Sequence, residues 1–536
     1  MRAPLSIVRP VAATVAVVGL SLSCSSTPTF DEALVQVSAD DFSRHVSYLA
    51  SDALEGRGPG TPGGDAAASY LARELAALGY EPAGEQASDD GGMYFQRVGV
   101  LESVTLPASS LSLGGDRPLK FSSEIVAWSS RTTPRVDVDG EVVFVGHGIV
   151  APEYRWDDYA GVDVTGKVVL VMVNEPRATP DEPTLFEGDA LSYYGRWTYK
   201  LEEAARHGAQ GVLLIHTDAS ATYPWRVVEN SWTGPQFALA SSSEAGTMSF
   251  AGWVTDAVAH DLVRRAGRSL DQLRAGAMVR GGASTALGLR VSGALERRVR
   301  TLTSPNVIGV RRGTEPGSAV LVTAHHDHLG MRPAQEGETG ALDRIFNGAV
   351  DNASGVAGVL TMARAWATAP APRRSIYIAF TTAEEAGLLG AEYLAEHLPM
   401  PAATWSAVVN IDEVNIFGPA RDLVLIGMER SPLGAEAQNV AARRGRRVVP
   451  DPEPAQGNFF RSDHFPFAKR GIPALSLGLA TAFVGPDAEA ARRRRDDFSA
   501  RRYHQVGDEV SDDWDVSAAV TDLRLTAEIV WRLANR

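Results

Sequence analysis

Along the second half of the chain, short unbroken apolar runs alternate with longer stretches in which apolar residues recur every three or four positions. This is the rhythm of strands buried on both faces and the helices that cross between them. The runs Asn306–Val310, Ala319–Thr323, Ser375–Phe380, Ala407–Ile411 and Pro473–Leu477 predict strands. Between and after them, Ser354–Ala367, Leu388–His397 and Ala435–Arg443 predict helices, and Asp515 caps a last one with Val516, Val520, Leu523 and Trp531 on its apolar side. The pattern predicts an α/β fold with a mixed, mostly parallel central sheet flanked by helices.

Nearer the start, Asp40 to Gly79 predicts a helical pair broken by the Gly/Pro-rich Gly58 to Gly64, with Tyr70, Leu71, Leu75 and Leu78 on one face and Gly79 as C-cap. In the turn between them, Glu55 and Arg57 are expected to form a bracing ion pair, with contact to substrate as the alternative. Tyr94 to Val98 opens a strand-like alternation. From about Thr132 the texture changes to short β-branched runs, Glu141–Val150, Lys167–Val173, Gly211–His216, Gly252–Val254 and Ala277–Val279, with a helix over Leu201–His207. Residues 132–285 therefore read as a small β-rich module inserted between 37–131 and 286–536. Its histidines, His147, His207 and His216, are scattered and are expected to be structural.

Arg2 and Arg9 precede an apolar run from Val11 to Leu22 that is short for a bilayer span and ends at small residues before Cys24. Residues 1–24 read as an export signal of lipoprotein type, with Cys24 as the lipidated thiol, and 25–36 as a tether. An exported, lipid-anchored or periplasmic bacterial protein is expected, with an uncleaved anchor as the alternative. Cys24 is the only cysteine, so no internal disulfide forms. The net charge is −14, and the one basic tract, Arg492 to Arg495, runs straight into Asp496 and Asp497. Nucleic acid is excluded as a partner.

Charge takes on chemical meaning where the predicted strands end. His325, Asp327, Asp351, Glu384, Glu385 and Asp412 all fall at or just after the end of an apolar run, on the edge where open α/β sheets bind ligands. A satisfied histidine cluster with Asp351 as a helix N-cap is the plain structural alternative. Yet gathering several carboxylates without cations costs heavily in repulsion and desolvation, and divalent metals remove that cost. A bridging carboxylate with imidazole and carboxylate ligands on each side fits two zinc ions about 3.5 to 4 Å apart. The adjacent Glu384 and Glu385 are expected to point in different directions, one to metal and one to a proton.

In this order AHHDHLG, DNASG, TAEEAG, NIDE and YHQVGD resemble the co-catalytic di-zinc aminopeptidases of metallopeptidase family 28, over roughly residues 37–128 and 286–536. The block containing GEVVFVGHGIV and YKLEEAARHGAQGVLLIH is similar to the protease-associated (PA) domain found inside many bacterial members. The resemblance implies a zinc-peptidase fold holding two Zn2+ per chain and acting on peptides with a free N-terminus. It makes Asp351 the bridge, His325 and Asp412 ligands of one zinc, and Glu385 and His504 ligands of the other. Glu384 becomes the general base and Asp327 the carboxylate that orients His325, while His464 lies near the site without binding metal. His326 and His328 are expected not to be ligands. Glu413 and Asn415 depart from the apolar residue and glycine that many relatives carry after the Asp412 position. Carboxypeptidase or glutaminyl cyclase chemistry on the same ligands is the alternative enzyme reading, and a non-catalytic binding protein is the alternative of another class.

Overall fold

The computed structural model describes residues 29–85, 92–221, 224–240, 248–282, 284–332 and 342–536. The leader, Cys24 and residues 25–28 of the tether lie outside the described residues. Two sheets are joined by one long strand, Thr285–Arg311. In the central sheet its later half lies between Phe95–Thr105 and Arg374–Thr381, antiparallel to both. Arg374–Thr381, Glu315–His325, Trp405–Ile411 and Ala474–Gly478 then run parallel side by side, and Asp422–Ile426 and Arg447–Val449 complete the edge. The architecture is α/β with a mixed central sheet and a parallel centre.

Those parallel strands have no polar face because both faces are covered. Val320, Val322, Ile376, Ile378 and Val409 pack on one side with the helices Ala39–Leu49, Gly355–Thr368 and Val516–Asn535. Ala319, Leu321, Tyr377 and Val408 pack on the other with Leu389–Glu396. Side chains alternate across the sheet at a period of two, so continuous apolar runs follow. At the centre of the first layer the fully buried Trp366 donates its indole N–H to Ala527 O at 3.1 Å, tying the last helix to the helix after Asp351.

The second sheet sets Arg135–Phe144, Val168–Met172, Gly211–His216 and Phe250–Thr255 in parallel. Ile125–Trp128 closes one edge, and the early half of Thr285–Arg311, with Ser110–Leu113 beyond it, closes the other. Its strands thus come from residues before 132 and after 285 as well as from between. Ala277–Val279 is not a strand. It follows the helix Leu270–Gly276, Val279 donates back to Gly276 O in a turn, and Met278 and Val279 are exposed with no strand beside them. The two sheets also meet through side chains. Tyr193 packs on Phe465 with ring centroids 4.8 Å apart, Lys469 pairs with Glu202 at 2.7 Å, and Arg430 forks onto Glu187.

His147 is buried in the second sheet's module, with Nδ1 3.1 Å from Asn174 O. Burial, reinforced by the nearby Lys200, pushes its imidazole down to about 3. The unfolded chain therefore binds a proton between about pH 6.5 and 3 that the fold does not, so this group's stabilising share is complete above pH 6.5 and declines as pH falls. Urea unfolding from pH 7 to pH 4 is expected to lose less stability in His147→Gln than in the parent, by up to about 1.4 kcal/mol per pH unit. Parallel pH profiles would show that His147 is not held neutral.

Candidate metal centre

The carboxyl ends of the parallel strands deliver their next residues to one place. His325 is the last residue of Glu315–His325, Glu384 and Glu385 follow Arg374–Thr381, and Asp412 follows Trp405–Ile411. Asp351 stands just before the helix Gly355–Thr368, and His504 just after the Arg-rich helix Ala488–Asp497 and its last turn. His325 Nε2 lies 3.2 Å from Asp351 Oδ1 and 3.3 Å from Asp412 Oδ1. His504 Nε2 lies 3.1 Å from the other Asp351 oxygen and 3.1 Å from Glu385 Oε2. Asp351 thus faces an imidazole with each oxygen, so the two halves of the site meet at one carboxylate.

Each of these groups is held from behind. Asp508 accepts the main-chain N–H of Val350 at 2.9 Å and of Asp351 at 3.1 Å. Asp351 has φ −104° and ψ 98°, outside the helical region, and makes no cap bond. The first amide of the helix goes instead to Asn352, whose Oδ1 accepts from Gly355 N and also from Glu413 N. The N-capping reading of Asp351 therefore fails: its neighbour does that work and leaves the Asp351 carboxylate free for the cleft. Asp412 accepts from Ser462 Oγ, which receives an N–H from the buried Asn410 amide. His325 Nδ1 lies 3.2 Å from the main-chain O of Asp327 and 3.8 Å from its carboxylate. That carboxylate accepts the amide N–H of Glu384 instead, at 3.1 Å.

His326 turns away and pairs with Pro305 O at 2.9 Å, but His328 does not turn away. Its Nδ1 lies 2.6 Å from Glu385 Oε1, and it stands among the donors of the site. Strand alternation stops applying once the strand ends at His325, so it does not govern where His328 points. Asp508 and Ser462 were also given no role by spacing, although Asp508 ends the quoted motif YHQVGD. His464 is fully buried against Phe459, and burial and the Arg430 charge push its imidazole down to about 3.

Electrostatics separates the two adjacent glutamates. Burial, with Asp412, Asp463 and Glu385 adding to it and His325 opposing, holds Glu384 well above the usual carboxylate range. Burial and Asp351 act on Glu385 in the same direction, but the bonds from His328 and His504 overcome them and bring it down to about 2. Against burial, the bonds to Asp351 and Glu385 lift His504 to about 10. Ligand-capable atoms of His325, Asp351 and Asp412 lie within 4.8 Å of one another, as do those of His328, Asp351 and Glu385. Clustered imidazole and carboxylate donors sharing Asp351 fit zinc in both positions. The arrangement can hold cations, and Glu384 differs from the other carboxylates of the site in its protonation range.

Residues 306–527 match the family model of peptidase family M28. The chain is 30% identical over 218 residues, 39% of its own length and 44% of the other, to aminopeptidase YwaD of Bacillus subtilis (strain 168). It is 25% identical over 276 residues, 45% of its length and 54% of the other, to a probable zinc metalloprotease of Phaeosphaeria nodorum. The chain spans about half the length of these curated relatives. In fold it resembles an aminopeptidase from Aneurinibacillus sp. strain AM-1, with TM-score 0.51 at 19% identity over 95% of this chain and 96% of that one.

Asp508→Ala leaves two buried amides without an acceptor, and is expected to cost about 1–3 kcal/mol in urea unfolding. An unchanged unfolding midpoint would mean that Asp508 does not hold the Asp351 backbone.

Proposed function

We propose that this chain, whose residues 306–527 match the model of peptidase family M28, is a zinc aminopeptidase that removes the first residue of peptides. The observation that carries the proposal is the division of labour at the strand ends: imidazoles and carboxylates converge on Asp351 while Glu384, beside them, is held in a different protonation range. Neighbouring carboxylates whose environments push them apart mark a ligand and a proton carrier. His325 and Asp412 would hold one zinc, Glu385 and His504 the other, and Asp351 would be shared. His328 would brace Glu385 through its bond to Oε1. Zinc bound there supplies Lewis acidity, which makes water nucleophilic near neutral pH and polarises a carbonyl.

The chain's own residues handle the proton and the substrate. Glu384 takes a proton from the attacking water and gives it to the leaving nitrogen as the peptide C–N bond breaks. Its amide is fixed to Asp327, so the general base sits on a rigid mount. Glu413 is pushed well above the carboxylate range by burial and by Asp351, Asp412 and Asp508, so it marks an excess of negative charge beside Asp412. That charge suits the ammonium of a free N-terminus. Intact ligand positions argue against a binding protein that has lost its chemistry.

Export completes the reading, with Cys24 as lipid attachment point and a cell-envelope location. The second sheet and its helices, drawn largely from 132–285, form the protease-associated type of module. Its Tyr193, Lys469–Glu202 and Arg430–Glu187 contacts lie beside the Phe459–Phe465 segment that leads to Ser462.

Glu384→Gln is expected to keep its zinc and lower turnover by roughly 10²- to 10⁴-fold, the weight of general-base catalysis. Unchanged turnover would remove Glu384 from its role. The substrate claim is tested on aminoacyl amides, each free and N-acetylated, with protein beginning at Ser25. Cleavage of the free forms alone is the expected result. Cleavage of neither form by zinc-loaded protein would move the reading to carboxypeptidase or glutaminyl cyclase substrates.

A further inference from the structure

Arg57 lies far from the metal site in sequence and is buried at 1% exposure. Its guanidinium meets no carboxylate. Instead Nε donates to His326 O at 2.9 Å, Nη1 to Leu49 O at 2.5 Å and Asn347 O at 2.6 Å, and Nη2 to Gly348 O at 3.0 Å. The expected ion pair with Glu55 does not form: Glu55 is exposed, while Arg57 is buried and turned to main-chain carbonyls. The acceptors have a common meaning. His326 follows His325, Asn347 and Gly348 lead into Asp351, and Leu49 ends the helix Ala39–Leu49.

The backbone around Arg57 is bent to make this possible. Glu55, Gly56 and Arg57 are consecutive left-handed residues, at φ 48°, 70° and 52°. For the two non-glycine residues such a conformation costs of order 1–3 kcal/mol each and persists only where the surroundings hold it. Gly56 fits so tightly that a Cβ there would lie 2.4 Å from Gly330 O and 2.6 Å from Phe346 O. Main-chain bonds bind the same turn to the same loop, Gly330 N to Gly56 O at 3.0 Å and His328 N to Arg57 O at 3.3 Å. Burial lowers the guanidinium to about 10, and the charges of Asp327, Asp508, Asp351 and Glu385 act against that burial. A guanidinium keeps its proton and its planar fork, so it can span several fixed acceptors at once.

We propose that Arg57 is a positioning residue of the metal centre, fixing the separation of the His325 and Asp351 loops so that their ligand atoms stand ready for zinc. The proposal rests on the metal-centre reading given above. It differs from a general packing role in a measurable way. Packing stabilises the protein with or without metal, whereas positioning of ligands acts on metal affinity.

The molecule contains its own control. Arg297, also buried, donates to Ser103 Oγ, Ser129 O, Arg131 O and Thr133 O in the neck between the sheets. The experiment measures zinc affinity by chelator competition, and melting temperature with and without zinc, for the parent, Arg57→Met, Arg57→Lys and Arg297→Met. Arg57→Met is expected to bind zinc about 10- to 100-fold more weakly, the usual effect of losing a residue that supports metal ligands. Its zinc-induced rise in melting temperature should shrink accordingly, and Arg57→Lys should recover part of both. Arg297→Met should lower both melting temperatures alike and leave zinc affinity unchanged. If Arg57→Met does not fold, Arg57→Lys against the parent decides on the same terms. Parental zinc affinity in the Arg57 variants would overturn the proposal, as would an equal loss in Arg297→Met. A parent that binds no zinc would instead overturn the metal-centre reading on which it rests.

Discussion

Mutual repulsion among carboxylates is the constraint around which this molecule is arranged. Asp351, Asp412, Glu384 and Glu385 are brought to one end of the parallel strands, with the buried Asp327 and Asp508 just behind them. Carboxylates removed from water and set side by side oppose folding unless positive charge joins them. Imidazoles from His325, His328 and His504 offset part of that cost. The proposed zinc ions would offset the remainder, which ties the stability of the site to its chemistry.

Holding such a site calls for stiffness, and the fold supplies it without cross-links. Strands covered on both faces fix where His325, Thr381 and Ile411 end. The loops beyond those ends are then secured by polar groups spending their hydrogen bonds on main chain: Asp508 on the Val350 and Asp351 amides, Asn352 on the Gly355 and Glu413 amides, Arg57 on carbonyls from three segments. Buried polar groups satisfied in this way specify one geometry, since any shift leaves a donor or acceptor unpaired.

How much of this could be read in the sequence follows the same physics. The parallel strands were legible because burial on both faces writes an unbroken apolar run, and a strand end followed by a charged residue points to the functional edge. His325, Glu384, Glu385 and Asp412 carry that signal. His504 does not, because it follows a polar, arginine-rich helix with no apolar strand before it; only the likeness of YHQVGD to a known family singled it out. The contact of His328 with Glu385 was not legible, because strand alternation says nothing about residues beyond the strand's end at His325. The joining strand was half hidden as well. Its middle, Glu296 to Arg300, is charged at every position but Val299 where it crosses from one sheet to the other, so it reads as a break rather than as 27 continuous residues. Arg57 was seen and given the wrong partner, since local spacing offers Glu55 while the fold offers carbonyls nearly 300 positions away.

The most direct test of the central claim is to count zinc by elemental analysis in the parent and in Asp351→Ala after equilibration with excess metal and removal of the unbound fraction. The account predicts about two ions per chain in the parent and none retained in the variant, because the shared carboxylate serves both positions. Full occupancy in Asp351→Ala, or a parent that retains no zinc, would contradict it.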